Sequence, residues 1–290
     1  MGGVAALGSA FLWALAAILF RRAGERVAAL AMNFVKGTVA IACLLVIILP
    51  LGGFQADSYS VALLSLSGLV GIALGDTLYF LALARLGARR ILLLSTLIPV
   101  ATALVAISML GERLPPGAWL GILLVLAAVS FVLWERAPAS AGTRTLRGGI
   151  VLGIVFVSAE TFGIIATKLG IENVSALEGT LIRHLAATFA MGLWLGLLSQ
   201  MREQLAPLRD PRLLGLVAGA GLLGGFLGMW LAVTGLKYTH AAVAATLNAT
   251  SPLFVLPLAA WLDKEAVTKG AVLAASIAVA GLGIYFVSVA

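Results

Sequence analysis

The stretch STLIPVATALVAISMLGERLPPG, Ser95 to Gly117, aligns without a gap on NATSPLFVLPLAAWLDKEAVTKG, Asn248 to Gly270. Pro99 falls on Pro252, Glu112 on Glu265 and Gly117 on Gly270, each pair 153 positions apart. Working outward in the same frame, Gly68, Gly71, Gly75 and Ala88 meet Gly221, Gly224, Gly228 and Ala241, and Ala127 meets Ala280. Leu and Ala matches arise by chance in an apolar chain; Gly, Pro and Glu matches in one frame do not. Near the front of each half the offset falls to about 147, where Lys36 meets Arg183. The chain is an internal duplication.

What is duplicated follows from composition. Of 290 residues, 62% are hydrophobic and only 11% charged, and mean hydropathy is +1.12. Soluble domains carry about 25% charged residues, so these few charges cannot cover a water-facing surface, and the chain belongs to the membrane class. The net charge of +7 reflects basic residues between apolar runs, which membrane topology explains better than nucleic-acid binding. Cys43 is the single cysteine, which excludes an intrachain disulfide and a cysteine-based metal site. Residues 4–20 are apolar but are followed by Arg21, Arg22 and Arg26 without a small-residue cleavage pattern, so they read as a first span rather than a signal peptide.

A hydrocarbon core of about 30 Å needs roughly 20 residues per helix. Ten runs meet or approach that: about 3–20, 29–50, 60–84, 90–110, 117–134, 148–168, 176–199, 212–236, 241–262 and 268–288. The expected fold is therefore all-α and integral to the membrane, ten transmembrane helices in two inverted five-helix repeats. The expected halves are residues 1–136 and 148–290, with 137–147 as a linker rich in Ala, Gly, Ser, Thr and Pro. An odd number of spans per unit forces the two copies into opposite orientations. The charges agree. On the side reached after the first span, the connections hold fourteen of the nineteen Lys and Arg, among them Arg85, Arg89, Arg90, Arg202, Arg209 and Arg212. The opposite side has three, Arg113, Lys168 and Lys237, and Lys36 and Arg183 lie within spans. The positive-inside rule makes the richer side cytoplasmic and puts both termini outside.

With the repeat, the first span AFLWALAAILFRRAG, the basic residue early in spans two and seven, and the closing segments GERLPPGAWLGILLVLAAV and SPLFVLPLAAWLDKEAVTKGAVLAASIAVAGLGIYF, the whole chain resembles a known family. It is similar to the ten-helix members of the drug/metabolite transporter superfamily, built from two EamA-type repeats. The resemblance implies a central cavity lined by helices other than the fifth of each half, and export of small metabolites or amino acids. It also implies termini in the cytoplasm, where the arginine bias points the other way.

Ionisable groups inside spans cost about 2.5–3.5 kcal/mol each and are functional candidates by default. Here they are Lys36, Asp76, Glu160, Arg183 and His184. Depth sorts the first four into two opposite-charge pairs, Lys36 with Asp76 and Glu160 with Arg183. Two readings stay open: ion pairs that hold helices together, or cavity groups that bind the ends of a zwitterion or carry a coupled proton. Asp76 has Met229 as its repeat mate, an asymmetry that suits coupling or substrate binding better than scaffolding. His184 fits a packing role or a proton relay. Trp13, Asn33, Tyr79, Trp230 and Asn248 complete the candidate cavity, being polar or aromatic within spans rather than in an interfacial belt. Pro99 and Pro252, placed near the middle of spans four and nine, are candidate hinges, because a mid-helix proline removes a hydrogen bond and kinks the helix. The glycine rows read as close helix packing.

GLLGGFLG lacks the strand and lysine of a phosphate loop, and no Ser-His-Asp, paired-His or Cys set supports catalysis. No enzyme, cofactor or metal is expected. The expected function is a secondary transporter exporting small organic solutes, amino acids or related metabolites, across the cytoplasmic membrane by alternating access. Expected partners are the solute, a coupled proton and the lipid bilayer, with no nucleic acid, in a monomer or weak homodimer. The alternatives are a lipid-carrier flippase, in which Lys36 and Arg183 meet headgroups, and an exporter of cationic drug-like compounds, which should show an excess of carboxylates.

Overall fold

The computed structural model describes residues 1–24, 26–86, 91, 94–135, 146–262 and 269–289, and among them there is no strand. The linker 137–147 lies largely outside the described residues, as do Arg89, Arg90, Arg136, Arg144, Lys264 and Glu265. In chain order the apolar helices are α1 (Gly2–Ala23), α2 (Ala29–Ile48), α3 (58–86), α4 (Leu97–Leu110), α5 (Pro116–Glu135), α6 (Leu146–Gly170), α7 (Ala176–Leu197), α8 (Pro211–Tyr238), α9 (241–262) and α10 (Lys269–Val289). Among the described residues six are long and apolar enough to cross a membrane: α1, α2, α3, α6, α7 and α8. Four shorter apolar helices, Leu97–Leu110, Pro116–Phe131, Ala241–Val255 and Val272–Ile284, occupy the fourth and fifth places of each half. The protein is an integral, multi-pass membrane protein.

The halves run in opposite directions, and the pairing of repeat mates demonstrates it. Between α2 and α7, a side chain on Gly37 would meet Thr188, one on Gly192 would meet Phe34, and Leu44 shares a core with Leu181. Between α5 and α10, a side chain on Gly117 would meet Ser288, and one on Gly281 would meet Leu124. Rising numbers meet falling numbers in both pairs, so each helix lies antiparallel to its copy. The units also interdigitate. α1 packs on α8 and α9, and α6 packs on α3 and α4, their counterparts in the other half.

Two local departures from regular helix recur at the repeat spacing. Within α3 the segment Gly68–Gly75 is π-helical, and so is Gly221–Gly228 within α8. A π turn widens the hydrogen-bonded ring to i→i+5; it is rare, and frequent at functional sites. Here the glycines let a neighbouring backbone come close. A Cβ on Gly68 would collide with the Arg183 carbonyl, and one on Gly221 would sit 3.2 Å from Cα of Lys36. The glycine rows are packing surfaces, duplicated with the repeat.

The second departure falls at the two candidate hinge prolines. The chain turns at Thr96 before α4 begins, so Pro99 lies in the first turn of Leu97–Leu110. α9 is two segments, Ala241–Asn248 and Ser251–Leu262, separated by a turn at Ala249 and Thr250, and Pro252 lies in the first turn of the second. Each proline lacks the N–H that would bind the carbonyl four residues back, Ser95 or Asn248, and its ring clashes there. The hydrogen-bond ladder is interrupted there, while Thr96 (φ −67°, ψ −11°) and Ala249 (φ −67°, ψ −7°) stay in the right-handed region.

Candidate functional site

The two breaks meet at a cavity of about 260 Å³. Ser95, Thr96 and Pro99 line it from one half, and Asn248, Ser251 and Pro252 from the other. The interrupted helices therefore present their interruptions, Thr96 and Ala249, to the cavity, the one place at membrane depth where unpaired backbone groups are tolerated. α1, α6, α7 and α8 complete the wall with Trp13, Glu160, Arg183 and Met229. Val129 of α5 lines it too, so a fifth helix is not wholly excluded from the cavity, against what the family resemblance implies.

Trp13 and Glu160 are repeat mates, at the offset of 147, and they hold equivalent seats. The Trp13 indole lies over Gly228, whose Cβ would be 2.8 Å from the ring, and its Nε1 donates to the Gly224 carbonyl at 3.2 Å. The Glu160 carboxylate lies over Gly75, the mate of Gly228, where a Cβ would be 2.6 Å from Oε1. One half thus places an indole, and the other a carboxylate, against the same π segment.

Of the two opposite-charge pairs that depth suggests, one closes and the other does not. Lys36 Nζ donates to Asp76 Oδ2 at 3.1 Å, and neither residue lines the cavity. Arg183, only 8% exposed, donates from Nη1 to the Met229 sulfur at 3.4 Å, and its Nε has no hydrogen-bond partner. Among the described residues no ion pair within 4.0 Å joins Arg183 to Glu160. Both groups face the cavity as separated charges. Nη2 of Arg183 lies near Gly71 and Oε1 of Glu160 near Gly75, about one helical turn apart along α3.

Asn248 lines the cavity with its Oδ1 unpartnered. The other candidates lie elsewhere. His184 is fully buried, with Nε2 2.8 Å from the Gly225 carbonyl; the acceptor requires Nε2 to carry the proton, and the histidine ties α7 to the π segment of α8. Asn33 is buried outside the cavity wall. Tyr79 packs on Phe156 at 5.3 Å, and Trp230 stacks on Phe226 at 6.4 Å. Thr234 and Thr246 bond carbonyls four residues back in their own helices, the bland use of an intramembrane hydroxyl.

Beside the cavity lie polar caps that the sequence alone left unassigned. Thr167 and Leu236 line the wall, and one residue on Lys168 Nζ donates to the carbonyls of Leu236 at 2.8 Å and Thr239 at 2.6 Å. Lys237 Nζ donates to the Val174 carbonyl at 2.7 Å. Glu112 accepts from the Ala241 N–H at 2.8 Å and stands 3.6 Å from Nδ1 of His240. These charges satisfy helix ends that would otherwise be orphaned. Two of the three basic residues on the arginine-poor side are spent in this way.

A cavity between inverted halves, bordered by two interrupted helices, is an arrangement that secondary transporters share. Residues 1–134 and 147–288 match the EamA-like transporter family, and the chain belongs to that family, within the drug/metabolite transporter superfamily. It is a membrane transporter of small solutes. A solved crystal structure of another protein, 18% identical, superposes with a TM-score of 0.80 over 98% of each chain; at that identity the likeness shows the fold alone. No curated protein matches the sequence.

Proposed function

We propose that the protein exports small zwitterionic metabolites, amino acids or close relatives, across the cytoplasmic membrane by alternating access. In this reading its ten helices all span, and its two halves rock about the cavity. The arginine-rich side is cytoplasmic and both termini are outside. The observation that carries the proposal is the separation of Glu160 and Arg183 in one cavity. An ammonium fits the first and a carboxylate the second, and each interaction gains strength at low dielectric. A cavity of about 260 Å³ is below the range of pockets that hold drug-sized ligands, about 300–1,000 Å³. A balanced pair of charges also fits a zwitterion better than a cation. Glu160 is the candidate carrier of a coupled proton, because it faces the cavity while Asp76 is held by Lys36.

Counterflow in proteoliposomes tests the reading, with a pool of labelled amino acids and amines, with and without a pH gradient. Accumulation of a water-soluble zwitterion that responds to the gradient is the expected result. If Glu160 carries the proton, Glu160→Gln abolishes gradient-driven accumulation and spares exchange. Failure of a folded protein to accumulate any soluble label overturns the reading in favour of a lipid-carrier flippase.

A further inference from the structure

The internal duplication supplies a built-in comparison for the charges. Lys36 and Arg183 are repeat mates, and so are Asp76 and Met229. In the first half the base on the second helix reaches an acid on the third, Lys36 Nζ to Asp76 Oδ2 at 3.1 Å. In the second half the same reach, from the same helix position, ends on a thioether, Arg183 Nη1 to Met229 Sδ at 3.4 Å. The supporting backbone contacts are alike, glycine on base, Gly221 on Lys36 and Gly68 on Arg183. The seat is conserved between the halves and its charge is not.

We infer that Met229 is a specificity-determining residue: standing where the other half carries a carboxylate, it leaves the Arg183 guanidinium open to the carboxylate of a solute in the cavity. This rests on the reading of the cavity as a solute site and assigns how its anionic end is made. Three observations support it. Arg183 lines the cavity together with Met229. Arg183 is a buried residue, 8% exposed, and its Nε has no partner. A thioether is only a weak acceptor, so a buried guanidinium held against one keeps most of its capacity for a bidentate carboxylate. An aspartate at 229 would fill that capacity from within the protein, as Asp76 does for Lys36.

The test is covalent labelling of arginine by phenylglyoxal in the full chain reconstituted in liposomes. The rate at Arg183 is read by mass spectrometry in wild type, Met229→Asp and Met229→Leu, with acetate or L-leucine as protecting probes. Wild type and Met229→Leu are expected to label at similar rates, with protection by acetate. Met229→Asp is expected to label about tenfold more slowly, because a charge-assisted pair must first be broken. Equal rates in wild type and Met229→Asp overturn the inference, as does slow labelling of Met229→Leu. If Met229→Asp does not fold, Met229→Asn offers the same acceptor without the charge; it should slow labelling by a smaller factor, and no slowing overturns the inference. Protection by acetate without protection by L-leucine sustains the open anion seat and tells against the zwitterion reading, so the two failures are distinguishable.

Discussion

The two halves of this protein share a frame and differ in what the frame holds. Gly75 and Gly228 seat side chains from the first helix of the opposite half. One seats the Glu160 carboxylate, and the other the Trp13 indole. Lys36 closes on Asp76, and Arg183 rests on Met229. Where the copies agree, at the π segments, the glycine contacts and the proline breaks, the requirement is geometric: a backbone must approach closely or a helix must stop. Where they disagree, at Trp13 against Glu160 and Asp76 against Met229, the change is in which ionisable groups stand unpaired in the cavity. Divergence between repeats within one chain thus separates scaffold from site without reference to any other sequence.

The largest effect should come from breaking the comparison at the charges. Arg183→Gln is expected to lower counterflow of a carboxylate-bearing solute about a hundredfold, the loss of a charge-assisted bidentate contact. The double change Lys36→Met with Asp76→Met removes a pair as a unit and should lower it by less than about tenfold. Similar losses in both would erase the distinction between site and scaffold. Next in size is the frame itself. Gly68→Ala drives a methyl into the Arg183 backbone and should cost about 3 kcal/mol of stability by thermal unfolding in detergent, the upper end for overpacking. Gly221→Ala, whose Cβ would stand 3.2 Å from Lys36 Cα, should cost clearly less.

Lys36→Met alone strands Asp76, and because the pair is 16% and 31% exposed we expect a loss of about 2 kcal/mol, below the range for fully buried pairs. A double-mutant cycle with Asp76→Met should recover part of it. Lys168→Met frees the carbonyls of Leu236 and Thr239 and should cost about 1 kcal/mol, while raising the accessibility of a cysteine placed at Leu236. The smallest effect lies outside the spans, at Asp57, where the Ser60 N–H holds the carboxyl below its ordinary value of 3.8. A carboxylate with a depressed folded value contributes stability above the unfolded one and loses it as pH falls through the folded one. Acid unfolding of Asp57→Asn should therefore be slightly less steep below pH 4 than that of wild type.

Much of this organisation was legible in residues alone. The ungapped match around Pro99 and Pro252 marks the duplication, since those residue types do not recur in register by chance. The distribution of arginine between connections implies inversion, which the antiparallel α2–α7 and α5–α10 pairs show in three dimensions. Trp13, Glu160, Arg183, Asn248, Pro99 and Pro252 all reach the cavity wall. Asn33, Tyr79, His184 and Trp230 were equally plausible by type and depth, and face elsewhere. Depth is a coordinate along the helix axis, whereas facing is a rotation about it, and an apolar helix surrounded by lipid and protein carries little periodicity from which to read that rotation.

The sequence by itself determined the membrane class, the two inverted units, the family, and the short set of intramembrane charges, because each depends on composition, spacing or counting along the chain. Only the tertiary structure decided that Arg183 and Glu160, unlike Lys36 and Asp76, do not close on each other, and that Arg183 is left against Met229. Those outcomes depend on which faces of helices from opposite halves meet at distances of about 3 Å. A glycine or a thioether one turn away settles them, and no pattern along one strand of sequence records which turn that is.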